Sequence, residues 1–158
     1  MIYFAKMKPG AIIPSKREED GAFDIYACFE EDYLEIGPHQ TKLVPTGLAS
    51  AFSSDYVAIL KERGSTGSKG LGQRAGVIDS GYRGEWFAAL TNHNPQPLVI
   101  AKEGAKVPEG VLVYPYSKGI CQCVMALVPK LPIAEISYEE LMAMASERGT
   151  GALGSSGK

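Results

Sequence analysis

Apolar residues fall along the chain in short runs rich in Val, Ile, Leu, Phe and Tyr, separated by glycine, proline and polar clusters. Runs of that length and composition predict strands. The candidates are FDIYACF (23–29), TKLVPTGLAS (41–50), YVAILKE (56–62), EWFAALT (85–91), PLVIA (97–101), GVLVYPY (110–116) and ICQCVMALV (120–128). Hairpin-like breaks at GLGQRAG (70–76) and NHNPQP (92–97) separate some of them, and no internal repeat is visible. Many short strands without alternating helices predict an all-β sandwich or jelly roll. Only SYEELMAMASE (137–147) has the helical period. Ser137 and Glu140 stand in capping-box spacing, and Leu141, Met144 and Ala145 share one face. Such a helix needs a surface to lie on. The RGTGALGSSGK that follows (148–158) is too rich in glycine and serine to fold alone.

At 158 residues the chain has the size of one domain, with 45% hydrophobic and 22% charged residues, as in a soluble globular protein. A formal net charge of −2 gives no basic footprint for nucleic acid or an anionic membrane, so any polyanionic ligand must be small and gripped locally. The first residues, MIYFAKMKPG, read as neither a signal peptide nor a membrane span, and a cytoplasmic location is expected. Cys28, Cys121 and Cys123 lack metal-ligand spacing and are expected as reduced, mostly buried thiols. His39 and His93 are isolated, which argues against zinc and leaves oxygen-bound cations.

Three segments carry candidate chemistry. RAGVIDSGYRGEW (74–86) crowds Asp79, Tyr82, Arg83 and Glu85 among three glycines. Its plainest reading is a turn between strands with solvated charges. ERGSTGSKG (62–70) combines Arg63, Ser65, Thr66, Ser68 and Lys69 with glycines, but lacks the order and following helix of a Walker A loop. The 148–158 tail adds Arg148 and more hydroxyls. Two donor-rich loops and a loop carrying Asp79 are the parts of a phosphoryl-transfer site.

In order along the chain, GAFDIYA (21–27), ERGSTGSKG, GVIDSGYRGE (76–85), GICQCV (119–124) and RGTGALGSSG (148–157) resemble the five motifs of the trimeric dUTPase family, including phage-type members. The resemblance implies a single domain over 1–158, a distorted jelly-roll β-barrel with one short C-terminal helix and a flexible tail. It implies hydrolysis of dUTP to dUMP and pyrophosphate, with Mg2+ held mainly by the triphosphate rather than by a protein cage. Asp79 matches the base that activates water against the α-phosphorus. Arg63, Gly64, Ser65, Gln122, Arg148, Gly154, Ser155 and Ser156 match the phosphate donors, and Asp24 a supporting carboxylate. Uracil would be read by the hairpin carrying Gln73 and Gly76, with Tyr82 beneath the deoxyribose excluding a 2′-hydroxyl. A homotrimer is implied, with residues 147–158 as an arm closing a neighbour's site.

Four departures from the family pattern stand out. Gly64-Ser65 reverses a common Ser-Gly order, so Ser65 is carried as the phosphate hydroxyl; Gly81 replaces a second aspartate; and Ala152-Leu153 replaces Gly-Phe, so Leu153 takes the place of an aromatic lid over uracil. An insert over 103–118 offers a protein-partner arm or a longer hairpin. The alternatives are a dCTP deaminase-like enzyme and a dUTP-binding regulatory protein. Deamination would need a carboxylate near Ala88 or Ala89, where none stands.

Overall fold

A computed structural model describes residues 1–151 of the chain. In chain order its elements are β1 (Ile2–Lys6), β2 (Phe23–Ile25), β3 (Tyr33–Ile36), β4 (Thr41–Pro45), β5 (Leu48–Phe52), β6 (Tyr56–Lys61), the one-turn helix α1 (Gly64–Gly67), β7 (Leu71–Arg74), β8 (Val77–Ile78), β9 (Phe87–Asn92), β10 (Leu98–Ala101), β11 (Leu112–Pro115), β12 (Cys121–Leu127) and α2 (Tyr138–Ala143). They form four small sheets, ordered β1-β5, β11-β10-β3, β2-β12-β6-β8 and β4-β9-β7. All pairings are antiparallel except β10 with β11. This is the distorted β jelly roll expected, with neighbours in the sheets often far apart in sequence.

Alternation decides which side chains enter the barrel. Phe23 and Ile25 on β2, Ala58 and Leu60 on β6, and Cys121 and Cys123 on β12 point inward, joined by Trp86, Leu90, Ile100 and Ile120. Phe4 of β1 meets the Trp86 ring edge-on, with centroids 5.3 Å apart. Truncating a ring buried this completely costs about 3–5 kcal/mol. All three cysteines are buried free thiols. Burial raises the Cys123 thiol to about 12 and pushes Cys121 still higher, so both stay protonated.

The structure corrects several expected boundaries. TKLVPTGLAS is two strands, broken at Thr46-Gly47, where the Gly47 carbonyl accepts from the Met7 N–H at 2.7 Å. GLGQRAG is not simply a break, because Leu71–Arg74 pairs with β9 as β7. A second helix, α1, occupies ERGSTGSKG, so the C-terminal helix is not alone. That C-terminal helix starts as expected: Ser137 Oγ accepts from Glu140 N at 3.1 Å, and Glu140 Oε2 from Ser137 N at 2.8 Å. It ends at Ala143, however, and Met144 is already extended, so the three-residue face read from the sequence does not form on one helix.

Candidate active site

The sheet β2-β12-β6 builds the first half of the site. Register sets Gln122 of β12 opposite Asp24 of β2 on one side and Lys61 of β6 on the other. Chain leaving β6 therefore delivers Glu62 and Arg63 beside Asp24 and Gln122, although these residues are far apart in sequence. Arg63 Nε donates to Asp24 Oδ1 at 2.7 Å, and Nη1 donates to Ser65 Oγ at 3.1 Å and to the Gly119 carbonyl at 3.0 Å. Gln122 Nε2 donates to the Glu62 carbonyl at 2.7 Å. Burial, the largest single influence, would weaken the guanidinium's hold on its proton. The Asp24 charge and hydrogen bonds to Tyr114 and Asp24 together outweigh it, leaving the Arg63 pKa raised.

Asp24, Arg63, Gly64, Ser65 and Gln122 line one cavity of about 460 Å3. Helix α1 settles which hydroxyl of ERGSTGSKG is available there. Thr66 is buried, its Oγ1 donating to the Arg63 carbonyl at 3.1 Å and accepting from the Arg63 N–H at 3.0 Å. Thr66 is thus consumed in shaping the turn, and Ser65 faces the cavity. Two further rim residues were missed in the sequence. Arg17 and Asp20 also line the cavity, and their side chains pair through Nε–Oδ2 at 3.0 Å and Nη2–Oδ1 at 2.8 Å. Hydrogen bonds from Arg17 hold the half-buried Asp20 carboxyl below its ordinary range. Only the adjacency of charges in SKREED marks them in the sequence.

Asp79 follows β8 directly and is exposed at the head of a turn closed by Tyr82 N–H on the Asp79 carbonyl at 3.1 Å. The charges after it are not idle solvated groups. Arg83 Nη1 donates to the carbonyls of Ser80 at 2.7 Å, Tyr82 at 3.2 Å and Ser50 of β5 at 3.1 Å. Glu85 Oε1 accepts from the Gly47 N–H at 2.8 Å and pairs with Lys8 at 3.1 Å. With Trp86 buried behind them, these contacts pin the Asp79 loop to β5. Tyr82 folds over Gly84, its hydroxyl donating to the Glu85 carbonyl at 3.0 Å; a Cβ at position 84 would overlap that hydroxyl.

The β7–β8 segment is not the hairpin expected, because its strands join different sheets, β7 with β9 and β8 with β6, and it is held from an unexpected residue. Glu62 Oε1 accepts from the Gln73 N–H at 2.9 Å, and this backbone hydrogen bond is the main cause of a carboxyl pKa below the ordinary value. Glu62 thus touches β7 through its side chain and Gln122 through its carbonyl, contacts that leave no motif signature. Gln73 Nε2 donates to the Arg74 carbonyl at 2.8 Å. Gly76 takes φ +101°, and a Cβ there would lie 2.9 Å from the Leu60 carbonyl oxygen, so the tip requires glycine.

Gln73, Gly76, Asp79 and Tyr82 do not line the cavity that holds Asp24, Arg63, Ser65 and Gln122. Arg148 is exposed on the tail, where its Nε donates to the Gly151 carbonyl at 2.9 Å. Leu153, Gly154, Ser155 and Ser156 lie outside the described residues. Among the described residues no three carboxylates, imidazoles or thiols gather as a metal cage, and no helix is long and apolar enough to cross a membrane. The strand position considered for a deaminase carboxylate holds Ala88 and Ala89, both buried, with Ala89 in register with Arg74.

A β jelly roll with a polar, arginine-bearing cavity on one sheet and a carboxylate loop pinned to β5 has the parts of a nucleotide-phosphate hydrolase. Comparison with known proteins narrows the class. The dUTPase family model matches residues 8–157. The deoxyuridine 5'-triphosphate nucleotidohydrolase of Mycobacterium marinum is 32% identical over 157 residues, covering 96% of this chain and 92% of that protein. A mutant dUTPase of Staphylococcus bacteriophage 80alpha, solved with dUpNHpp, has a similar fold, with TM-score 0.77 and 20% identity, covering 100% of this chain and 99% of that one. A mutant dUTPase from phage phi11 of S. aureus, whose structure concerns the coordination of a structural Mg(II) ion, gives TM-score 0.67 and 19% identity over 86% of this chain and 96% of that one. The chain belongs to the dUTPase family.

Proposed function

We propose that the protein hydrolyses dUTP to dUMP and pyrophosphate. The observation that carries this reading is the cavity in which Asp24, Arg63, Ser65 and Gln122 converge, within a family match that runs through nearly the whole chain. Arg63 presents a guanidinium whose far side is braced by Asp24, so it meets phosphate oxygens already oriented. Ser65 and the Gln122 side chain add neutral donors. Asp79, on its pinned turn, orients and deprotonates the water that attacks the α-phosphorus. The turn between β7 and β8 offers main-chain groups to one uracil edge, and Tyr82 lies under the sugar, where a 2′-hydroxyl would find neither room nor partner. Arg148, Gly154, Ser155 and Ser156 add phosphate donors from the tail, and Leu153 covers the base.

Mg2+ fits this donor set. Asp20 is spent on Arg17 and Asp24 holds Arg63 through Oδ1, so protein would contribute at most the second Asp24 oxygen and the triphosphate the remaining anionic ligands. Bound there, the ion would neutralise phosphate charge and hold the chain of phosphates in one conformation.

Separation of the Asp79 loop from the phosphate cavity within one chain supports a homotrimer in which sites are completed between subunits. So does the C-terminal segment. Every residue from Leu127 to Thr150 is exposed, with Leu131 at 79% and Ile133 fully so, although apolar residues recur through it. An unpartnered apolar arm of this length finds its burial on another copy of the chain. No nucleic-acid or membrane partner is needed, and cytoplasmic location follows from the substrate.

The test is pyrophosphate release from dUTP, UTP, dCTP and dTTP with and without magnesium. Magnesium-dependent turnover of dUTP far above the others is expected. Ammonia release from dCTP, or magnesium-supplied protein that binds dUTP without turnover, would overturn the reading in favour of a deaminase or a binding protein.

A further inference from the structure

The 103–118 insert has no role in the site described above, yet one of its residues reaches that site. Its strand β11 lies at the edge of a sheet, paired parallel with β10. Leu112, Val113 and Pro115 are exposed, and only Tyr114 turns inward, 3% exposed. Tyr114 Oη donates to the Gly119 carbonyl at 2.7 Å and accepts from Arg63 Nη1 at 3.4 Å. The same Gly119 carbonyl accepts from Arg63 Nη1 at 3.0 Å. Hydroxyl, carbonyl and guanidinium close a triangle directly behind the phosphate cavity.

We infer that Tyr114 is a positioning residue, through which the insert strand fixes the Arg63 guanidinium in its phosphate-facing orientation. Asp24 holds Nε, while the Nη1 corner is steadied by Ser65, Gly119 and Tyr114. Gly119 has no side chain to restrain its carbonyl, and the Tyr114 hydroxyl supplies that restraint. Because the ring is buried, its hydroxyl is placed by strand register rather than by free rotation in solvent. A one-residue slip of β11 would turn Tyr114 outward and release the corner. The insert is thereby tied to the phosphate site through the Tyr114 hydroxyl, whatever else its exposed face does.

This inference rests on the reading of Arg63 as a phosphate donor, and the experiment separates the two. Tyr114→Phe keeps the buried ring and removes only the hydroxyl. Loss of one long hydrogen bond of ordinary strength predicts binding of dUpNHpp weakened by roughly three- to tenfold, with binding of deoxyuridine, which has no phosphate, unchanged. In the absence of any ligand, denaturant unfolding of Tyr114→Phe, Arg63→Gln and the double variant should be non-additive, Tyr114→Phe costing less once Arg63 is gone. Additive unfolding, unchanged dUpNHpp affinity, or equal loss of both ligands would overturn the inference. Parental protein that neither binds dUpNHpp nor turns over dUTP would instead refute the dUTP reading, and the ligand-free cycle would still decide whether Tyr114 holds Arg63.

Discussion

Residue chemistry was the most legible level in the sequence where a side chain acts through its own functional group. Arg63 and Ser65 were marked by residue type, Asp24 and Gln122 by the resemblance to the family, and all four line one cavity. Residues acting through the backbone were not legible. Glu62 grips the Gln73 N–H and lends its carbonyl to Gln122, while Arg83 spends its charge on three carbonyls. Neither contact imposes a residue pattern that spacing could reveal. Asp79 carries the sharpest residue-scale prediction. Asp79→Asn keeps the shape of the turn but cannot accept the proton of water, so kcat should fall about 10²–10⁴-fold while dUpNHpp still binds. Single-turnover kinetics on dUTP beside equilibrium binding of the analogue would check this. Near-parental kcat in the folded variant would remove Asp79 from the role of base.

At the scale of elements, strands with strong inward alternation were legible and those specified by their neighbours were not. β6 and β12 announce themselves through apolar runs. β7 reads as a turn because Gly72, Gln73 and Arg74 have little strand preference; its pairing with β9 and the Glu62 tether overrule that. β1 and β3 escaped as well, and they become strands by pairing with β5 and β10. The tether has a pH signature. Glu62's folded pKa lies below its unfolded value, so the folded state binds fewer protons in mild acid. The resulting stability is fully present above the unfolded carboxyl value of about 4.3 and is lost as pH falls through the lower folded value. Glu62→Gln keeps a neutral acceptor for Gln73 and removes the titration. Melting temperature measured from neutral pH down to about pH 3 should therefore fall less steeply in the variant than in the parent, and parallel curves would show that the tether contributes nothing.

For the whole molecule, the split between the two halves of the site is the feature with the widest consequence. A single chain gathers Asp24, Arg63, Ser65 and Gln122 around one cavity, presents Asp79 on a loop pinned to β5, and leaves Arg148 on an exposed tail. Sequence order makes the motifs look like one list. Folding places Asp24, Arg63, Ser65 and Gln122 in one cavity and leaves Gln73, Gly76, Asp79 and Tyr82 outside it, and this separation motivates the proposed assembly. The most direct measurement of the account is dUTP turnover by co-refolded Asp79→Asn and Arg148→Ala chains, each nearly inactive alone. With random mixing and donors from separate subunits, about one quarter of sites in the mixture should regain both residues, and activity should recover in proportion. Activity that stays at the sum of the two variants, once mass measurement has shown mixed trimers, would contradict a site completed between chains.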